Sequence, residues 1–155
     1  MAAMTWYELF PHRLVLETIR VRSSDSSFLL KRLGGTLYWE GRALEIPEGA
    51  EAPPLHFLVV YPEAFPATPP GVEIISPELS STEWGHEWHR WWNGNVCYVR
   101  PSRWQVSSSA DEIIKKVGDW YFNYVAKKQG MITKMPDVGR AKLPVRKIEY
   151  GGSMA

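Results

Sequence analysis

The only thiol in the chain is Cys97, and it lies within the segment HEWHRWWNGNVCYVRPSRW, residues 86–104. His89, Arg90, Arg100 and Arg103 surround it in sequence. Nearby positive charge lowers a thiol pKa and turns the sulfur into a nucleophile. Asn93-Gly94 just upstream is a strong hairpin-turn signal, because both residues accept positive φ. A two-residue turn would pair Trp91 with Val96 and Arg90 with Cys97, placing His89 on the face opposite the sulfur. A three-residue turn over 93–95 would pair Trp91 with Cys97 and bring His89 to the sulfur's own face. The sequence leaves both turns open. Asn93 and Asn95 could each donate a hydrogen bond to a reacting group, although turn formation accounts for Asn93.

Other chemistries for the same segment have less support. A free cysteine often serves as a small buried hydrophobe. His86, His89 and Cys97 could supply three ligands to a metal, the number a catalytic zinc site uses, but a structural site wants four and there is no second cysteine. Interleaved Trp and Arg could stack single-stranded nucleic acid. No G-x-G-x-x-G, G-x-x-x-x-G-K-[ST] or G-x-S-x-G pattern occurs, so the chain offers no phosphate loop or nucleophile elbow.

These side chains need a scaffold, and 155 residues with 45% hydrophobic and 23% charged side chains suffice for one domain with one core. A single cysteine excludes an intrachain disulfide framework. No apolar run is long enough to span a membrane, and residues 1–10 lack the charged start and apolar stretch of a signal peptide. The expectation is a soluble cytoplasmic chain with a reduced thiol, bound to neither membrane nor nucleic acid. The formal net charge of +1 hides an asymmetry. Residues 127–155 hold seven Lys/Arg against Asp137 and Glu149, a net of +5, which leaves −4 for residues 1–126. With its scattered Gly and Pro, the segment 131–155 reads as extended or mobile, either a solvated extension or a contact arm, following a domain over 1–130. Five of the eight tryptophans fall between 84 and 104, which marks packed or shaped surface rather than solvated loop.

The elements can be read coarsely. Residues 12–22 favour a helix, having length and no breaker after Pro11. Residues 37–46 read as two short strands around a turn at Gly41, followed by strands at 56–61 and 71–76. Four such strands suggest an antiparallel meander. The proline-rich stretch 61–70 between the last two predicts a stiff, extended crossover. From Ala110 a helix is expected: serines precede it, Asp111 and Glu112 open it, Lys127 and Lys128 close it, and Gly130 follows. Ile113, Ile114, Val117, Trp120, Tyr121, Tyr124 and Val125 would pack one face on the sheet. Gly118 inside it suggests close approach to a strand. Helix-terminus charge and surface solvation are the simplest explanations for Asp111 and Asp119. The fold class is α+β, a four-stranded antiparallel meander packed by an N-terminal and a C-terminal helix.

In that order the features resemble the ubiquitin-conjugating enzyme superfamily. The resemblance covers about residues 36–126, with 12–33 as the first helix. Tyr61, Pro62, Pro66, Pro69 and Pro70 match the superfamily's proline crossover, Cys97 stands at its thioester-forming cysteine, and Trp104 with the following SSSADEII resembles its Trp-then-helix segment. His89, Gly94, Cys97, Tyr98 and Trp104 follow the order of compact bacterial members, including those of cyclic-oligonucleotide antiphage (CBASS) operons. The eukaryotic His-Pro-Asn signature is absent, and His89 stands where its Asn would fall, eight residues before the cysteine.

The resemblance implies a transferase that needs no cofactor or metal. Cys97 would carry a protein C-terminus as a thioester and pass it to an amine, with His89 supporting the oxyanion. His86, Asn93, Asn95 and Trp104 would be supporting residues, and Asp111 and Asp119 would be candidates to orient the amine. The implied partners are a glycine-ending donor (a cGAS-like nucleotidyltransferase or a ubiquitin-like protein), a separate ATP-dependent activating enzyme and lysine-bearing targets. The alternative is an inert binding module on the same fold, recognising a ubiquitin-like or peptide partner.

Overall fold

A computed structural model describes residues 3–90, 96 and 103–149. The chain opens with a short helix α1 (Trp6–Leu9), started by a capping box in which the Glu8 carboxylate accepts the Thr5 N–H at 2.9 Å. Pro11 cannot continue α1 but suits a first helical position, so a second helix α2 (Pro11–Ser24) begins at once. The helix expected over 12–22 is therefore present, but it stops at Ser24 and residues 29–33 form a strand, so the helix that the resemblance implies over 12–33 does not run that far. Its burial is unusual: Glu17 and Val21 face inward, whereas Val15 and Ile19 are more than half exposed.

Four antiparallel strands follow in spatial order β1 (Leu29–Leu33), β2 (Thr36–Ala43), β4 (Leu55–Val60) and β5 (Gly71–Ser76). The fold is thus α+β around a four-stranded antiparallel sheet, with a different membership from that read in the sequence. Residues 36–43 form one unbroken strand, and Gly41 pairs with Phe57 in its middle rather than turning. A Cβ at Gly41 would lie 2.5 Å from the Phe28 ring. Close approach of that ring, not positive φ, is what glycine permits here. The short strand β3 (Glu45–Pro47) leaves the sheet and pairs with β6 (Val145–Lys147) near the C-terminus. The missed strand β1, LLKRL, sits at the sheet edge with four of its five residues exposed, so it lacks the alternation that marks a half-buried strand.

Leu37, Trp39 and Ala43 of β2 and Leu55, Phe57 and Val59 of β4 point to the same face and are buried. Against that face lies helix α3 (Ala110–Lys128), as its amphipathic pattern predicts. The Glu112 carboxylate accepts the Ser109 N–H at 2.8 Å to start it. Gly130 at φ 76° ends it, and the Met131 N–H returns to the Ala126 carbonyl at 2.8 Å. Among the described residues no helix is long and apolar enough to cross a membrane.

Two loop expectations need correction. The stretch 61–70 is a compact turn rather than an extended strap, with Phe65 and Ala67 N–H groups bonding back to Pro62 and Ala64 carbonyls at 3.1 and 2.9 Å. Burial of Phe65 drives that compaction, because its ring lies 4.7 Å from both Trp6 and Tyr61. Residues 131–149 pack on the body instead of forming a solvated extension. Met135 is buried, Asn123 bonds Gly139 and Ala141 at 2.8 Å each, and Arg140 bonds Asp119 at 2.6 Å and Glu45 at 2.8 Å. The basic charge of this segment is thus spent partly on acidic groups of the body. Gly118 faces Arg140 of that segment and not a strand.

Candidate functional site

The segment leading towards Cys97 is positioned by the C-terminal half of α3. After β5 the chain runs to Glu83, makes a single 3-10 turn over His86–Trp88, and then bridges back. The Gly85 N–H donates to the Arg90 carbonyl at 2.8 Å, and Arg90 forms a second antiparallel bridge with Val96. That pairing belongs to neither register anticipated for the Asn93-Gly94 turn. Arg90 opposes the residue immediately before Cys97, one place out of step with the two-residue turn and two with the three-residue turn. Cys97 itself, Asn93 and Asn95 lie outside the described residues.

His89 ends the 3-10 turn in the left-handed region, at φ 51° and ψ 44°. A non-glycine residue held there marks a conformation enforced by its surroundings. Its ring centroid is 5.2 Å from that of His86, and its Nε2 lies 3.7 Å from Asp137 Oδ1 of the C-terminal segment. His86 and His89 are therefore neighbours. Trp104 sits apart from them, donating from Nε1 to the Pro66 carbonyl at 2.8 Å and packing on Phe65, so it ties the proline turn to the start of the α3 segment. Among the described residues no three His, Cys, Asp or Glu side chains are grouped to hold a metal ion.

Four side chains of α3 grip the segment. Trp120 Nε1 donates to the Trp88 carbonyl at 2.9 Å, and the Lys127 ammonium donates to the Glu87 carbonyl at 2.8 Å while lying 4.3 Å from the Trp88 ring centre. Tyr124 donates to Glu83 Oε1 at 2.5 Å, and Lys128 pairs with Glu83 Oε2. From the segment's own side, the Arg90 guanidinium donates to the Glu83 and Ser80 carbonyls at 2.7 and 3.2 Å. Glu83 is only 5% exposed. Burial by itself would raise its carboxyl, but the Lys128 and Tyr124 bonds outweigh it and hold the group below the ordinary carboxylate value. Burial, together with the same pairing, pushes the Tyr124 hydroxyl up.

The two candidate amine-orienting carboxylates are both engaged. Asp111 accepts the Ser109 hydroxyl. Asp119, far from being solvated, is buried and bridged by Arg140 and Lys115. Glu83 and Asp137 escaped the sequence reading. Glu83 sits in a polar loop with no periodicity to indicate burial, and Asp137 reaches His89 only through the return of the C-terminal segment. The spacing of Trp120, Tyr124, Lys127 and Lys128 was a signal for the grip, since those residues share one face of a helix.

Comparison with known proteins finds no matching protein-family model and no matching curated protein.

Proposed function

We propose that this chain is a ubiquitin-conjugating-like acyltransferase. The Cys97 thiolate attacks the activated C-terminal carbonyl of a donor protein, forming a C–S bond as the activating group leaves. A lysine amine then attacks the same carbonyl carbon, the C–S bond breaks, and the amine proton is lost as the amide forms. The observation that carries the reading is the order of the elements in space. A helix, an antiparallel meander, a proline turn tied down by Trp104, and a helix gripping the segment before the cysteine follow one another in the order that supports the resemblance. Cys97 is the nucleophile of this scheme, and His89 stabilises the tetrahedral oxyanion or the segment that does. The donor fitting this chemistry is a glycine-ending protein charged by a separate ATP-dependent enzyme, and antiphage signalling is the setting the resemblance suggests.

The test is a reductant-sensitive adduct between this protein and its donor in the presence of the activating enzyme. Wild type should form it and Cys97→Ala should not, with amide products lost in parallel. In His89→Ala, adduct formation should survive better than transfer to amine. If Cys97→Ala leaves the products undiminished, the transferase reading is wrong. If wild type forms no adduct and its thiol alkylates no faster than free cysteine, an inert binding module on this scaffold takes its place.

A further inference from the structure

Glu83 is a buried carboxylate that the acyl-transfer scheme does not use. Its carboxylate receives Tyr124 and Lys128 from α3, and its backbone carbonyl receives the Arg90 guanidinium. Both sides of one residue are therefore occupied, one by the helix and one by Arg90, which bridges to Val96. Charge-assisted bonds to a buried carboxylate are the stronger kind, and loss of one partner leaves the others unsatisfied. Tyr124 also stacks on Trp120 with centroids 5.1 Å apart, so the donor that reaches Glu83 is itself held rigidly. Trp88 and Lys127 extend the same contact along the helix.

We infer that Glu83 is a positioning residue: clasped by Tyr124 and Lys128, it fixes the Gly85–Arg90–Val96 bridges, and with them the chain entering Cys97, against the C-terminal half of α3. The relevance to chemistry rests on the acyl-transfer reading above, whereas the positioning itself does not. The arrangement explains why a 3-10 turn with a left-handed His89 persists at the surface: the clasp secures one end of the turn and the Arg90 bridges the other. It also assigns the lysines at the end of α3 a purpose beyond complementing the helix dipole.

Two readouts on the full chain separate these claims. Hydrogen exchange at the Gly85 and Arg90 amides should quicken roughly tenfold in Glu83→Gln and in Tyr124→Phe. Lys128→Arg, which keeps the cation, should exchange like wild type, and Lys128→Met should quicken. Val21→Ala, a core truncation in α2 remote from the segment, serves as the control for general loss of stability. Exchange at these two amides that is unchanged in Glu83→Gln, or equally quickened in Val21→Ala, overturns the positioning role. With donor and activating enzyme present, Glu83→Gln should lower the maximal rate of adduct formation severalfold with little change in half-saturating donor concentration. A wild type that forms no adduct removes the acyl-transfer reading, and the exchange comparison still decides the positioning one.

Discussion

Helix α3 has a buried glutamate at each end, and the two behave oppositely. Glu17, from α2, lies under its N-terminus, where Oε1 accepts the Ala110 N–H at 3.0 Å and the Tyr61 hydroxyl at 2.8 Å. Glu83 lies beside its C-terminus with Tyr124 and Lys128. Both are nearly inaccessible, at 0% and 5% exposure. Yet the Glu17 carboxyl is raised above its ordinary value and the Glu83 carboxyl is lowered. Burial raises both; the difference comes from how the second oxygen is served. Glu17 Oε2 has Arg13 3.3 Å away but makes no hydrogen bond, and Asp111 adds a repelling charge. Each oxygen of Glu83 is bonded, one of them by an ammonium. Depth of burial therefore does not set a carboxylate's state until its bonds are counted.

The largest expected effect breaks the first member of that pair. Glu17→Ala removes the acceptor for the Ala110 N–H and the Tyr61 hydroxyl, which itself accepts from Trp39 Nε1 at 2.8 Å, and it leaves Arg13 without its carboxylate. Those donors are enclosed, so we expect a loss of about 3–5 kcal/mol in urea unfolding at neutral pH. Glu83→Ala should cost less, about 1–3 kcal/mol, because the Lys128 side chain is half exposed and can turn to water. Equal losses would mean that solvent access does not distinguish the two ends.

Neither glutamate was legible in the sequence, although the helix between them was. The cap at Ser109, the acids and lysines at opposite ends, and the Gly130 stop are local signals, and they stood where the helix begins and ends. The apolar side chains of β4 and β5 were legible for the same reason. Glu17 lies in a helix whose outward face carries Val15 and Ile19, so the hydrophobic pattern pointed away from the core and the charged position pointed into it. Gly41 misled because a glycine within a strand and a glycine in a turn look alike until Phe28 is known to lie on it. The register before Cys97 was illegible because the Arg90 guanidinium is held by the Glu83 and Ser80 carbonyls, contacts that no local sequence pattern announces.

A smaller effect sharpens the comparison through pH. A raised folded-state carboxyl binds its proton more tightly when folded, so the proton-linked part of the Glu17 contribution is full below 4.5, the ordinary value, and is lost as pH rises through the folded one, while the bonds to Ala110 and Tyr61 remain. A lowered carboxyl does the reverse: the Glu83 contribution is full above 4.5 and is lost as pH falls through its folded value. Melting temperature measured from about pH 3 to about pH 8 should show the two windows on opposite sides. Glu17→Gln, whose carbonyl still accepts from Ala110 and Tyr61, should flatten the decline above 4.5 and leave the acid side unchanged. Glu83→Gln should flatten the acid side alone. A variant that alters both limbs alike would show that the carboxylates titrate as one system.

The smallest effect concerns salt. The Lys128 side chain is 51% exposed, whereas Arg13, the partner of Glu17, is 15% exposed and also donates to the Ser108 carbonyl at 2.6 Å. At about 1 M salt the screening length contracts to roughly 3 Å, which weakens charge pairs that water can reach far more than enclosed ones. Double-mutant cycles of Glu83→Gln with Lys128→Met, and of Glu17→Gln with Arg13→Met, measure the two couplings directly. The first should lose a few tenths of a kcal/mol between about 0.1 and about 1 M sodium chloride, and the second should barely move. Should the Glu17 coupling fall as much, water reaches the N-terminal end of α3 as freely as the C-terminal end. The raised carboxyl there would then owe more to Asp111 than to burial.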